Sequence, residues 1–226
     1  MNSLTYYKNR LKKHPVLHSG YLMILRLLKY NKIIGGGSNK IIKQNALLLK
    51  SNIKFRGHGN IVCIESGAKV ENYSIKIYGS NNKISIGEKC YMKQGELWME
   101  DDNNELIIGS RTTIQENTQL AAIEGCKIII GDDCMFSSDI VVRTGDSHSI
   151  VDAEGKRINK SEDVHIGDHC WLGHRAMIMK GAVIQQNSII GAGAIVNKQF
   201  EQENSVIAGI PARVIKENVN WRRERI

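Results

Sequence analysis

The residues best suited to chemistry begin with Asp146-Ser147-His148, a carboxylate placed two positions before an imidazole. On an extended backbone that spacing turns both side chains to one face. A histidine titrates near neutrality, so it can take the proton of a hydroxyl while that hydroxyl attacks an electrophile. Asp146 can then hold the imidazole in one tautomer or bind the molecule that carries the hydroxyl, and a solvated turn aspartate is an equal reading. No Ser or Cys stands in a nucleophile motif, so the residues favour direct transfer over a covalent intermediate. The five cysteines, at 63, 90, 126, 134 and 170, form no CxxC pair and are odd in number. They argue against a disulfide framework and for a reducing cytosol.

What must position these residues is a repeat. Stepping by six from Ile166 meets Leu172, Ile178, Ile184, Ile190 and Val196. Four residues after each of the first five stands a small one: Cys170, Ala176, Ala182, Ser188 and Ala194. Glycine follows the aliphatic residue at Gly167, Gly173 and Gly191. This is no helical stripe, and six residues suit one short strand plus one sharp corner. Three units close a triangular coil of about eighteen residues. The aliphatic residue enters the prism, the small one fits the corner, and glycine is expected to supply the backbone conformation of the turn. Upstream the signature recurs every 22 residues, at Ile64, Ile86, Ile108 and Ile130, with Ala68, Cys90, Thr112 and Cys134 as the small residues. Their +6 positions are Val70, Met92, Ile114 and Phe136. The extra residues are expected to bulge from one corner as polar loops, Gly79 to Lys83 and Asp101 to Glu105. The pattern breaks after Val142 and resumes at Ile166, so an insertion at about 149–163 interrupts the stack and leaves His148 at its edge.

The expected fold is therefore an all-β solenoid of triangular cross-section over 46–200. Residues 1–45 precede it as a helical or extended cap, with Tyr6 to Lys13 and Leu17 to Lys29 helical, and 201–226 follow as a tail with a closing strand and helix over Arg213 to Arg225. A chain of 226 residues with 42% apolar, 24% charged and only 6% aromatic residues fits narrow stacked layers. The net charge of +8 suits an anionic small molecule, a membrane face or nucleic acid, but no nucleic-acid motif accompanies it. The apolar run Val16 to Leu28 holds His18 and Arg26 and is too short to cross a bilayer. Its stripe of Leu17, Tyr21, Ile24, Leu25 and Leu28 is one that can lie on an anionic membrane, peripheral contact at the inner face of a cytoplasmic protein being the form expected.

Three segments resemble the hexapeptide-repeat acetyltransferases, in the branch that acts on sugar hydroxyls. They are Ile166-Gly167-Asp168-His169-Cys170-Trp171-Leu172-Gly173, then Ile190 to Val196 with Lys198, and Gly209-Ile210-Pro211-Ala212-Arg213. Asp146-Ser147-His148 precedes them at the expected distance. The resemblance is specific over about 130–213 and hardly touches the first 45 residues. It implies a left-handed parallel β-helix, acetyl-CoA as co-substrate with no metal, a saccharide acceptor, and a homotrimer with its sites in the grooves between prisms. It makes His148 the general base and Asp139 an acceptor contact. Trp171 is implied to pack on acceptor or pantetheine, and the Gly173 amide to donate to the thioester oxygen. Gly191, Ala192 and Pro211 are assigned to the cofactor, with Lys198 and Arg213 neutralising its phosphates. The insertion, with Lys156, Arg157 and Lys160, is expected to reach a neighbouring subunit.

Other readings stay open. N-acetylation of nucleotide-linked amino sugars and acetylation of xenobiotics use the same scaffold. His169 and His174 have the close ligand spacing of a γ-class carbonic anhydrase, with Asp133 at the third position where that class has histidine. A non-catalytic scaffold that docks through its basic ends is the remaining class.

Overall fold

The structure, a computed structural model, describes residues 31–226. The two expected N-terminal helices and the membrane stripe lie outside the described residues. From Lys32 onward the chain coils through three sheets of eight, seven and nine strands, parallel throughout except for the last strand of the third. The first runs from Lys32–Ile34 to Ile195–Val196, the second from Lys40–Lys43 to Val183–Ile184, and the third from Leu47–Leu49 to Ala212–Lys216. Each strand pairs with its equivalent one coil away, as Trp171 does with Met135 below and Ile189 above. The fold is a left-handed parallel β-helix. Lys32–Ile34 and Lys40–Lys43 pair with Asn52–Arg56 and Ile61–Ile64, so these residues of the expected cap already form coil.

The sixfold pattern reports the interior faithfully. Ile166, Leu172, Ile178, Ile184, Ile190 and Val196 are all buried, as are Ile64, Ile86, Ile108 and Ile130. Burial of one such side chain contributes about 1.5–3 kcal/mol. At the corner before the third sheet the small residues also bond upward. The Cys90 thiol donates to Gly109 O at 2.9 Å, the Thr112 hydroxyl to Gly131 O at 3.0 Å and the Cys134 thiol to Gly167 O at 3.2 Å. Burial pushes the Cys90 thiol up to about 11, so it stays a neutral donor.

Two expectations about the turns need correction. Gly167 and Gly173 do not have positive φ; they are glycine because a Cβ would lie 2.6 Å from Gln186 N and 2.7 Å from Ala192 N of the next coil. The left-handed conformation falls two residues later, at His169 (φ 52°) and Arg175 (φ 60°). Nor do the extra residues of the 22-residue coils form a loose bulge. They lengthen the walls on both sides of one corner, giving Tyr73–Tyr78 and Gly95–Glu100 in the first sheet and Lys83–Ile86 and Glu105–Ile108 in the second. Additional inward side chains, Ile77 and Met99 facing Ile84 and Leu106, fill the widened prism. Buried asparagines close the corner: Asn60 Oδ1 accepts the Asn82 amide at 2.9 Å, and Asn82 Oδ1 that of Asn104 at 2.8 Å. The wide coils give way to eighteen-residue ones at this same corner, and the insertion leaves from it, between Val141–Arg143 and Val164–Ile166.

The last strand, Ala212–Lys216, turns back antiparallel on Val206–Gly209, through a cis Ile210–Pro211 bond. No helix follows it; the tail instead crosses the third wall. No helix among the described residues is long and apolar enough to cross a membrane.

Candidate active site

The insertion begins with an exposed turn at Asp146-Ser147-His148, where Ser147 is left-handed (φ 65°). A bent turn separates side chains that an extended strand would have paired. Asp146 accordingly does not hold the imidazole: its Oδ2 accepts from Lys180 Nζ at 2.6 Å and from Asn159 Nδ2 at 2.8 Å. The Lys180 ammonium, followed by Asn159, holds this carboxyl below its ordinary range.

Asn159 organises the turn. Buried beneath it, the side chain accepts from Ile150 N at 2.7 Å and donates to both His148 O and Asp146 Oδ2 at 2.8 Å. The backbone from His148 O to Ile150 N and the Asp146 side chain before it are thereby fixed, while the imidazole itself bonds to no described residue. Beyond it the insertion folds on itself, Ile158 N donating to Ile150 O at 2.9 Å. Arg157, expected to reach out, lies on its own coil: its guanidinium grips Glu124 at 2.6 and 3.1 Å, and Ser161 Oγ donates to the same carboxylate at 2.8 Å. These bonds hold the Glu124 carboxyl low. Three apolar side chains, Ile150, Val151 and Ile158, are left facing outward.

Trp171 is 36% exposed on the third wall. His148 stands past the far end of the first wall, so one chain does not bring the two together. The Gly173 amide, expected to face a thioester, already donates to Ile190 O at 2.8 Å in the coil-to-coil ladder. Asp139 occupies the left-handed corner between the third and first walls (φ 61°), where Asn117 Nδ2 donates to it at 3.0 Å and His174 Nε2 lies 3.6 Å away. Gly191 donates its amide to Ile207 O, and Ala192, Lys198, Pro211 and Arg213 are exposed on the final coils. Lys198 Nζ sits 5.1 Å from the centre of the Phe200 ring.

His169 and His174 stand at opposite ends of Trp171–Leu172 and face different partners. His169 Nδ1 lies 2.8 Å from Asp133 Oδ2, and its ring stacks on Trp221 at 4.2 Å between centroids. His174 Nδ1 lies 3.1 Å from Ser138 O. The described residues gather no group of three or more His, Cys, Asp or Glu able to hold a metal. Arg223 pins the tail further, donating to Asp133 Oδ1 at 3.0 Å and Thr113 Oγ1 at 2.9 Å. Asn159, Lys180 and Trp221 were not among the residues singled out from the sequence. None breaks the sixfold pattern, and only Trp221, an aromatic residue in a cationic tail, carries a visible signal.

Residues 163–198 match the family described as bacterial transferase hexapeptide (six repeats). A polysialic acid O-acetyltransferase of Escherichia coli O1:K1 / APEC is 36% identical over 43% of this chain, which there spans only 32% of its relative's length. Over nearly the whole fold, the crystal structure of the polysialic acid specific acetyltransferase NeuO is 30% identical, with a TM-score of 0.80, covering 86% of this chain and 89% of its own. That of the polysialic acid O-acetyltransferase OatWY is 31% identical, with a TM-score of 0.81, covering 87% and 93%. With this repeat and this likeness over most of both chains, the chain belongs to the hexapeptide-repeat transferases, in their sugar O-acetyltransferase branch.

Proposed function

We propose that this protein moves an acetyl group from acetyl-CoA to a hydroxyl of a saccharide, with His148 as the general base. The observation that carries the reading is the turn around His148: Asn159 holds the Asp146 carboxylate, His148 O and Ile150 N together, and the imidazole is left exposed and unengaged by described residues. A general base needs a fixed position and a free ring nitrogen. The likeness to two polysialic acid acetyltransferases over 86% and 87% of the chain supports the same reading.

The final coils suit a polyphosphate nucleotide. Lys198 and Arg213 are exposed and form no ion pair with a described residue, unlike Arg157, Lys180 and Arg223. They can therefore neutralise phosphates as charged donors. Acetyl-CoA supplies the acetyl group as a thioester. His148 removes the acceptor's hydroxyl proton as the oxygen attacks the thioester carbonyl, and returns that proton to the CoA sulfur as the C–S bond breaks, so the free thiol leaves and the imidazole is restored. Trp171 gives the acceptor or the pantetheine arm a flat apolar surface, and Asp139 offers a carboxylate to the acceptor.

Because the first wall separates His148 from Trp171, a complete site needs a second copy. Ile150, Val151 and Ile158 are the exposed apolar side chains such a contact would cover. A trimer with grooves between its prisms meets this need.

The test is acetyl transfer from acetyl-CoA across sialic acid oligomers, galactosides and nucleotide sugars. His148→Ala should lower kcat by about 10²–10⁴-fold with acetyl-CoA affinity unchanged. A near-normal rate in that variant removes His148 from the role.

A further inference from the structure

Outward side chains of the first sheet stack in columns, because parallel strands keep register from coil to coil. One column reads Lys76, Trp98, Ala121, Arg143. Strands lie about 4.8 Å apart, so Trp98 and Arg143 stand roughly 10 Å apart with only the Ala121 methyl between them. The result is a hollow of about 210 Å³, floored by Ala121 and walled by Trp98, Arg143, Glu96, Gln119 and Glu100, with Ser147 at its rim. Nothing in the hexapeptide pattern requires this, since all of these residues face away from the prism interior.

The chemistry of the lining is specific. Trp98 is a broad apolar surface, set edge-on to Tyr78 at 5.1 Å between centroids. Glu96 and Glu100 offer acceptors, and Gln119 donates to Glu96 at 3.0 Å. Arg143 Nη2 donates to Ser147 Oγ at 3.0 Å, but its Nε is buried with no partner among the described residues. A buried unsatisfied donor is costly, but the donor that the hollow offers a ligand is the guanidinium Nη2 beside Ser147 at the rim. An indole surface beside planar hydrogen-bonding groups suits a sugar ring, which presents C–H faces and hydroxyls that donate and accept.

We infer that this hollow is a second saccharide subsite, holding a sugar of the acceptor chain next to the one presented to His148. It rests on the saccharide reading above and adds the side chains, Trp98, Glu96, Gln119 and Arg143, that would hold the neighbouring sugar. Ser147, shared by the rim and the His148 turn, joins the two positions.

Binding of short oligosialic acid and of a galacto-oligosaccharide to the intact protein can be followed by saturation-transfer NMR, with acetyl-CoA turnover measured in parallel. Trp98→Ala removes a wall; Ala121→Leu fills the floor from the outside of the sheet and leaves the core untouched. Each should weaken oligosaccharide binding and raise its KM about tenfold. CoA binding and turnover of a monosaccharide acceptor should stay at wild-type levels, and Trp98→Phe should restore much of the loss. Wild-type affinity in both variants overturns the subsite, as does the absence of any saccharide signal from the wild-type protein. Saccharide bound in the hollow without acetyl transfer to any acceptor would keep the subsite and overturn the proposed activity instead.

Discussion

Trp221 and His169 hold each other by three contacts. Their rings stack at 4.2 Å and 8°, and the Trp221 indole donates to His169 O at 2.8 Å while His169 Nε2 lies 3.2 Å from Trp221 O. Through this contact the C-terminal tail is fastened 52 residues back along the chain, on the wall that carries Trp171. Trp221→Ala should cost about 3 kcal/mol, seen as an earlier denaturation midpoint, and should make residues 217–226 the first to be cut by protease. An unchanged midpoint would show that the tail adds nothing to the stack.

Asn159→Ala should free the His148 turn without unfolding the prism. Four hydrogen bonds vanish, those with Ile150 N, His148 O, Asp146 Oδ2 and Arg157 Nε. A loss of about tenfold or more in kcat with little change in the KM for acetyl-CoA is expected. Faster hydrogen exchange at Ser149 and Ile150 is the structural readout, and wild-type protection there would contradict it.

The Asp146–Lys180 contact sets the acid limit of the same turn. Asp146 has a depressed folded pKa, so its contribution is present above the unfolded carboxylate value of about 3.9. It disappears only as pH falls through the lower folded value. Exchange protection of the turn should therefore be flat from neutrality down to about pH 4 and decline below. Lys180→Met should move the decline upward; an unmoved profile would show that Lys180 is not the cause.

Gly167→Ala should destabilise the stack by about 1–3 kcal/mol, because the new methyl meets Gln186 N at 2.6 Å. Gly155, which has open space around its Cβ position, has positive φ. Gly155→Ala thus measures backbone strain alone, and a larger loss there than at Gly167 would refute the close-approach account.

Thiol labelling should separate the cysteines. Cys63 is partly exposed, whereas Cys90, Cys134 and Cys170 are buried in the corner. A thiol-reactive reagent should modify Cys63 first and those three only on unfolding.

Much of this architecture was legible because a prism admits few side chains at each corner, and the intervals at Ile166 to Val196 and at Ile64 to Ile130 record that restriction directly. The reason for Gly167 and Gly173 was misread because a single coil, taken alone, does not show its neighbour 2.6–2.7 Å away. The 22-residue interval was read correctly, but the extra residues were assigned to loops. The alternation Ile75, Ile77 and Leu97, Met99 was the signal that they extend strands. At the candidate site, His148 stood out from its place at the break in the pattern, and the structure sets it there on an exposed turn. Asn159 was missed because its partners lie 9 to 13 positions away within an aperiodic segment, where spacing carries no information.

On the N-terminal side of Tyr73 the described coils pair with the coils above and below. Deleting or duplicating one whole unit on the N-terminal side of Tyr73 should change the height of the prism and leave the His148 corner where it is. Evolution thus has a ruler graduated in steps of one strand spacing, able to lengthen the outer lane that leads to the corner without redesigning the corner itself.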